Sequence, residues 1–247
     1  MIGLSIGMSL GGSRPPAVRL WTPALASPTM RYDPASPAGI TSSGTSVMTL
    51  HDLSGGYDLT QSAGAQQPQT GRAIGGRAAL NFDGGDTLAR TQSLPSPGPG
   101  DSMVAMVVDV DSPAGSPFRC RDGSGTRWGF LVSSGNLTFV HNNTFAGAGA
   151  PATIGPQIIV GYRSGSTTYL RRNGTQIATG PAGICPPLSA IEIGNALDGA
   201  VGEAIPTLSY SDDLRDRLEG YLAHAYGLAA LLPADHPYKS TPPQVTQ

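Results

Sequence analysis

Charge is scarce in this chain of 247 residues: Asp, Glu, Lys and Arg together make up 13%, and the formal net charge is −2. A protein that grips nucleic acid by its phosphates needs a concentrated basic surface, and the 15 Lys and Arg residues here are scattered. No nucleic-acid partner is expected. Cysteine is scarcer still. Cys120 and Cys185 are too few for a disulfide framework or a zinc centre, and their flanks PFRCRDGS and GICPPLS lack CxxC spacing. They read as two small buried or edge thiols. Long apolar runs are missing as well. The stretch MIGLSIGMSL stops at Gly11-Gly12, whereas a membrane span needs about 20 apolar residues. No basic residue precedes that stretch and no small-residue cleavage site follows it, so neither membrane insertion nor a secretion signal is expected.

What the chain has in quantity is turn chemistry. It carries 34 Gly and 22 Pro alongside 39% hydrophobic residues. That balance suits many short strands joined by tight turns, and it excludes a disordered chain. From Trp21 onward the pattern is β. SVMTLHDL alternates, and SMVAMVVDV is apolar on both faces, as a central strand covered on each side would be. Ser134-Gly135 and Asn173-Gly174 each separate two alternating runs, and both pairs tolerate the left-handed backbone of a type I′ hairpin turn. Asp83-Gly84-Gly85 makes a further tight connection between AALNF and DTLART.

Two segments depart from this pattern. Residues 1–20 form a separate tail in which Leu4, Ile6, Met8 and Leu10 share one side of an extended stretch. Such a stretch can add to a neighbour's sheet edge; a frayed terminus is the alternative. Near the other end, Ser211 is suited to cap a helix over 211–226, with Asp212, Asp213 and Asp216 favoured near its positive pole. Leu214, Leu218, Tyr221, Leu222 and Tyr226 fall on one face. Gly227 can stop the helix and Pro233 forbids its return. A lone amphipathic helix must bury that face on the β body, which is expected to span 21–232, with a Pro-rich tail at 233–247 extended over the surface.

Four stretches carry a resemblance: LWTPALASPTMRYDPAS (20–36), HDLSGGYDLTQ (51–61), GRAALNFDGGDTL (76–88) and LEGYLAHAYGLAALLPADHPYKSTPP (218–243). The chain resembles the concanavalin A-like (laminin-G-like) domains of phage virion proteins and bacterial surface proteins. His51 stands where that family commonly has Trp, and Ala225-Tyr226 where it has Lys-Trp. The resemblance implies an all-β fold, a two-sheet antiparallel jelly-roll sandwich with one C-terminal helix packed on it. The superfamily includes lectins, glycan-binding modules, glycosidases and structural modules, and fold does not choose among them.

Chemistry is harder to find. Glycoside hydrolysis needs two carboxylates facing each other across a groove. Glu192, Asp198 and Glu203 are separated by glycine-containing breaks, and Asp109 and Asp111 sit at a strand end where turn capping is the expected role. No nucleophile, phosphate-loop or metalloprotease motif is present. Asp52, Asp83 and Asp86 offer hard oxygens to calcium, yet each lies in a turn where Asp bonds its own backbone, so no metal and no cofactor are expected. Trp128 shares a face with Phe130 and Val132 and is expected in the core. The sequons at Asn136, Asn142 and Asn173 are expected to be coincidental. The candidates for sugar binding are His141, Asn142, Asn143 and Phe145 in one turn, with Tyr169 and Arg171 on a strand face opposite to Leu170. Aromatic rings stack on sugars, and amides or guanidinium groups bond their hydroxyls. An ordinary solvated sheet face remains the alternative.

The expected function is therefore a non-enzymatic structural subunit of a phage or phage-like particle: a decoration, head-spike or tail-fibre protein located in the virion. It would dock on other virion proteins through its tail, form a homo-oligomer and adhere to host polysaccharide. The alternative is a carbohydrate-binding module of a bacterial surface protein, and a weaker one is a polysaccharide-degrading enzyme.

Overall fold

A computed structural model describes residues 19–146 and 149–245. Leu4, Ile6, Met8 and Leu10 lie outside the described residues. After a short turn at Pro23–Ala26 come β1 (Ile40–Ser43), β2 (Ser46–Leu50), β3 (Leu59–Thr60), β4 (Gln69–Ile74), β5 (Arg77–Asp83) and β6 (Leu88–Leu94). Then follow β7 (Ser102–Ser112), β8 (Ser116–Asp122), β9 (Gly125–Ser133), β10 (Asn136–His141), β11 (Thr144–Phe145) and β12 (Ala150–Pro151). The last strands are β13 (Gly155–Ser164), β14 (Thr167–Arg172), β15 (Thr175–Pro181), β16 (Leu188–Asn195) and β17 (Asp198–Thr207), followed by the helix α1 (Asp212–Ala225). No helix among the described residues is long and apolar enough to cross a membrane.

Pairing is antiparallel throughout these ladders, and it runs as one continuous network. One arm passes through β4, β5, β17, β7, β13, β14 and β15. The other passes through β3, β6, β16, β8, β9 and β10, with β11 and β12 on its edge. β2 joins the arms, pairing with β3 and touching β4 at Ser46 and Gln69. The result is the expected antiparallel all-β body with one C-terminal helix, in the form of a nearly closed, barrel-like sandwich and not a clear pair of jelly-roll sheets.

The hairpin signals were reliable where both flanking strands lie in the same arm. Asn173 and Gly174 have φ of 52° and 78°, and Ser134 and Gly135 have 51° and 74°, all left-handed as the turn requires. Asp83-Gly84-Gly85 behaves differently. Its turn is tight, yet β5 pairs with β4 and β17 while β6 pairs with β16 and β3, so the connection crosses between arms. Leu80 and Phe82 on one side and Leu88 and Leu94 on the other bury in one core, and alternation alone cannot tell that arrangement from a hairpin.

Two apolar layers result. The inner one holds Trp128, Phe130, Phe139, Phe118, Tyr32 and Phe82, all at most 1% exposed. The outer one lies between the sheet and α1. Met103, Ala105 and Val107 of β7 and Ile158, Val160 and Tyr162 of β13 meet Leu218, Leu222, Ala223 and Tyr226 of the helix. β7 is therefore apolar on both faces because it is covered on both. Ser211 caps α1 as expected, its side chain accepting from the Leu214 amide at 3.1 Å. Behind the helix, the closing tail returns to the start of the body: Trp21 N donates to Pro243 O and Val245 N donates to Arg19 O, each at 2.9 Å.

The four stretches that carry the family resemblance converge under the helix. Glu203 of β17 is fully buried and accepts from Arg31 Nε at 2.7 Å and from Tyr221 Oη at 2.9 Å. Arg77 Nη2 reaches Asp33 at 2.6 Å, and its guanidinium lies 5.2 Å from the Tyr226 ring centre. Asp52 accepts from the Arg31 amide and closes its own turn through the amide of Ser54. Gly75, at φ 54°, passes so close to the Tyr226 carbonyl that a Cβ there would sit 1.6 Å from its oxygen. These motifs fasten the helix to the barrel. They describe architecture, not a ligand site.

Candidate functional site

The residues proposed from sequence as a sugar site fall at two places. Thr167 pairs with Pro181 at one end of the β14–β15 hairpin, while Arg171 pairs with Gln176 near its turn. Four residues of strand separate the two ends, about 13 Å at the usual rise. The His141–Phe145 turn belongs to the first end, because Gly183, just past β15, donates to Thr144 Oγ1 at 3.0 Å. Arg171 belongs to the second. They do not form one site.

The turn is where the two arms of the barrel meet. His141 Nδ1 lies 2.9 Å from Gly183 O, which also accepts from Arg163 Nη1 at 3.0 Å. Because a carbonyl only accepts, Nδ1 carries the proton. Asn142 and Asn143 have φ of 55° and 57° and form the tight turn itself, with the Asn142 amide donating to Arg127 O at 2.6 Å. His141 is fully buried. It is thus a closure residue, which corrects its assignment to sugar binding: at the last position of β10 its parity points it inward, as with Phe139. Asn143 and Phe145 are exposed, Phe145 by 45%.

Burial, helped by the nearby Arg163 charge, holds the His141 imidazole down at about 4, below its ordinary 6.5. The unfolded chain therefore takes up a proton that the folded one refuses. The stability this group contributes is present above pH 6.5 and is lost as the pH falls through 6.5 toward 4. Denaturant midpoints should drop across that window, and His141→Gln should flatten the drop. Parallel curves for the two proteins would assign the effect to another group.

At the other end, Tyr169 and Arg171 do face opposite to Leu170, which is buried in the inner core. That outer face is not free, because α1 lies against it. Tyr162 is stacked between Tyr169 (4.7 Å, 11°) and Tyr210 (4.3 Å, 5°). Arg171 forks onto the buried carboxylate of Glu219, at 2.8 Å to Oε1 and 3.2 Å to Oε2. His236 Nε2 lies 3.3 Å from the same carboxylate. Burial alone would raise Glu219, but the His236 and Arg171 bonds outweigh it and hold the group below the usual carboxylate range. Arg215 of α1 grips Asp216 at 2.7 Å and Asp212 at 2.6 Å, and lies 5.8 Å from the Tyr162 ring centre.

Between these groups an open cleft of about 420 Å³ separates the β14–β15 turn, α1 and the closing tail. Arg171, Arg215, Asp216 and His236 supply its walls, Thr175, Gln176 and Asp235 stand at its exposed rim, and Pro233 and Pro237 give apolar edges. Sequence reading found Arg171 and missed the rest, because His236 and Asp235 come from the tail. Among the described residues, ligand atoms of Asp216, Glu219 and His236 lie within 4.8 Å of one another. Arg171 occupies both oxygens of Glu219, so this cluster is an ion-pair network. Asp52, Asp83 and Asp86 serve turns as expected: Asp83 accepts from Gly85 N at 2.9 Å and Asp86 from Asp83 N at 3.2 Å. Asp109 and Asp111 instead both bind Arg72.

No protein-family model matches the chain, and no curated protein matches it. Solved structures do. An arabinofuranosidase complexed with arabinofuranosyl-α-1,2-xylobiose aligns over 73% of this chain and 51% of its own, at 15% identity and a TM-score of 0.54. A mutant α-L-arabinofuranosidase soaked with 4-nitrophenyl α-L-arabinofuranoside gives the same coverages at 14% identity and 0.55. Domain 4 of AbnA, an extracellular arabinanase from Geobacillus stearothermophilus, in complex with arabinotriose, aligns over 72% of this chain and 91% of that domain, at 12% identity and 0.51. The chain spans about half the length of the arabinofuranosidases it matches. At these identities what is shared is an all-β sandwich fold, and a phage-type concanavalin A-like domain is not singled out. The expectation of a non-enzymatic virion subunit is corrected accordingly: these like-folded structures belong to carbohydrate-active enzymes, not to virion proteins.

Proposed function

We propose that this chain is a glycan-recognition domain that takes an oligosaccharide into the cleft between the β14–β15 turn, α1 and the closing tail. The observation that carries this reading is the cleft itself. Its volume of about 420 Å³ falls within the usual range for small-ligand sites. Its walls are arginine, aspartate, histidine and amide groups, whose directions suit the hydroxyls of a sugar. The ion pairs to Glu219 and Asp216 fix the two guanidinium groups before any ligand arrives, so little side-chain ordering remains to oppose binding. The finer assignment to the concanavalin A-like class belongs to the same proposal, with the two arms of the barrel as its sheets.

Arabinotriose and xylo-oligosaccharides are the first probes for calorimetric titration. Asp235→Ala and Gln176→Ala remove exposed side chains from the rim and should each weaken binding about tenfold, the equivalent of one charged or two neutral hydrogen bonds. Undiminished binding in both variants would show that the cleft is not the site.

One observation favours a second reading, glycoside hydrolysis: the like-folded arabinofuranosidases and arabinanase are glycan-processing enzymes. Release of reducing ends from arabino- or xylo-oligosaccharides that disappears in Asp216→Asn would favour this reading over binding alone.

A further inference from the structure

The outer face of the second arm carries a charge arrangement that the cleft does not use. Ile191 and Cys120 point into the inner core, so the residues alternating with them, Glu192 of β16 and Arg119 and Arg121 of β8, point outward. Arg119 Nε donates to Glu192 Oε2 at 2.7 Å, and Arg121 Nε donates to Oε1 at 2.5 Å. One carboxylate, 6% exposed, thus holds two guanidinium groups, 22% and 41% exposed. The acid that follows Arg121 in β8, Asp122, is taken by Arg127 at 2.8 Å and by the amides of Ser124 and Gly125. Among the described residues, the terminal nitrogens of Arg121 have no hydrogen-bond partner, so the trio presents a net positive charge with N–H groups directed to solvent.

An aromatic ring stands on the same face. Register pairs Glu192 with Arg119, Arg119 with Gly129, Gly129 with Val140 and Val140 with Phe145. Residues directly opposite in antiparallel ladders project to the same side, so Phe145 shares the side of Arg119, three strand spacings or about 14 Å away. Val140, the outward position between Gly129 and Phe145, belongs to neither core layer and is 1% exposed, so neighbouring groups cover the face at that strand. Gly129 puts no side chain between the charge and the ring.

We propose that this face binds an acidic sugar of a polysaccharide, with Arg121 and Arg119 taking its anionic group and Phe145 stacking on a neighbouring ring. A guanidinium held in place by a buried carboxylate keeps its free N–H fork oriented, which suits carboxylate or sulfate oxygens. Neutral arabino-oligosaccharides have no such group and are assigned to the cleft. The inference rests on the glycan-recognition reading, but it uses a different surface and a different sugar class.

The test is affinity electrophoresis and titration of the full chain with polygalacturonate, a sulfated galactan and polyglutamate, at low and moderate salt. Arg121→Gln should weaken the preferred acidic polysaccharide at least tenfold, and Phe145→Ala should weaken it severalfold at both salt concentrations. Polygalacturonate and the galactan tell a carboxylate from a sulfate as the recognised group. Asp235→Ala, in the cleft, should leave acidic-polymer binding unchanged, so a failure of the cleft reading and a failure of this one are separable. The proposal is overturned if neither acidic polysaccharide binds, or if Arg121→Gln leaves their binding intact. Polyglutamate binding as tightly as the sugars, with Phe145→Ala without effect, would also overturn it, since bare charge would then suffice.

Discussion

Glu203→Ala should lower the unfolding free energy by about 3–5 kcal/mol, the cost of leaving a buried charge without its partner. Glu203 is fully buried, and the side chain of Arg31 is 17% exposed, so water cannot replace the lost carboxylate well. Asp33 remains, but its nearer contact is to Arg77 at 2.6 Å, against 3.4 Å to Arg31. Tyr221 loses its acceptor in the same step. A denaturant titration at pH 7 measures the loss. Glu203→Leu combined with Arg31→Met should recover most of it, because exchanging a buried ion pair for apolar groups of similar volume is often neutral. The pH dependence provides a separate check. Burial, reinforced by the Asp33 carboxylate, raises Glu203 above its usual range despite Arg31. A carboxyl raised in the folded state favours folding below its unfolded pKa and loses that contribution as the pH rises through the folded value. Glu203→Gln should remove that decline. A Glu203→Ala midpoint within error of the parent would show that the cluster does not fasten the helix.

Leu218→Ala is expected to cost about 2–5 kcal/mol, as for other large-to-small changes in a packed core. Leu218 is 1% exposed and lies in the outer layer between α1 and β7 and β13. The consequence reaches the site, because α1 also carries Arg215, Asp216 and Glu219 of the cleft. A loosened helix should therefore weaken oligosaccharide binding as well as thermal stability. An unchanged melting temperature would mean that the helix is not docked through this face.

Sequence showed the helix and the strand content well, since both rest on local rules. The Ser211 cap, the 3–4 spacing of Leu214, Leu218 and Leu222 and the Asn173-Gly174 turn all act within a few residues. What it hid was non-local. Asp83-Gly84-Gly85 has the chemistry of a hairpin, and only the pairing of β5 with β17 and of β6 with β16 shows that it bridges two arms. His141 looked like a surface ligand because it opens the loop HNNTF, while strand parity and Gly183, 42 residues downstream, bury it. Arg171 was correctly placed on the outer face. Its partner Glu219 lies 48 residues further along, and His236, which bonds the same carboxylate, lies further still, beyond the reach of any spacing argument.

The return of the tail to the start of the body has a mechanical consequence. Leu20 pairs with Gln244, and Arg19 and Trp21 bond Val245 and Pro243, in a ladder two or three residues long. Both ends of the described chain therefore leave from one point, an arrangement that lets a domain sit in a loop of a larger protein without spreading the loop. A load pulling the two ends apart would act on that ladder one bond at a time. It would peel the strap from Arg217, which holds Gln244 O at 3.1 Å, before any force reached the barrel.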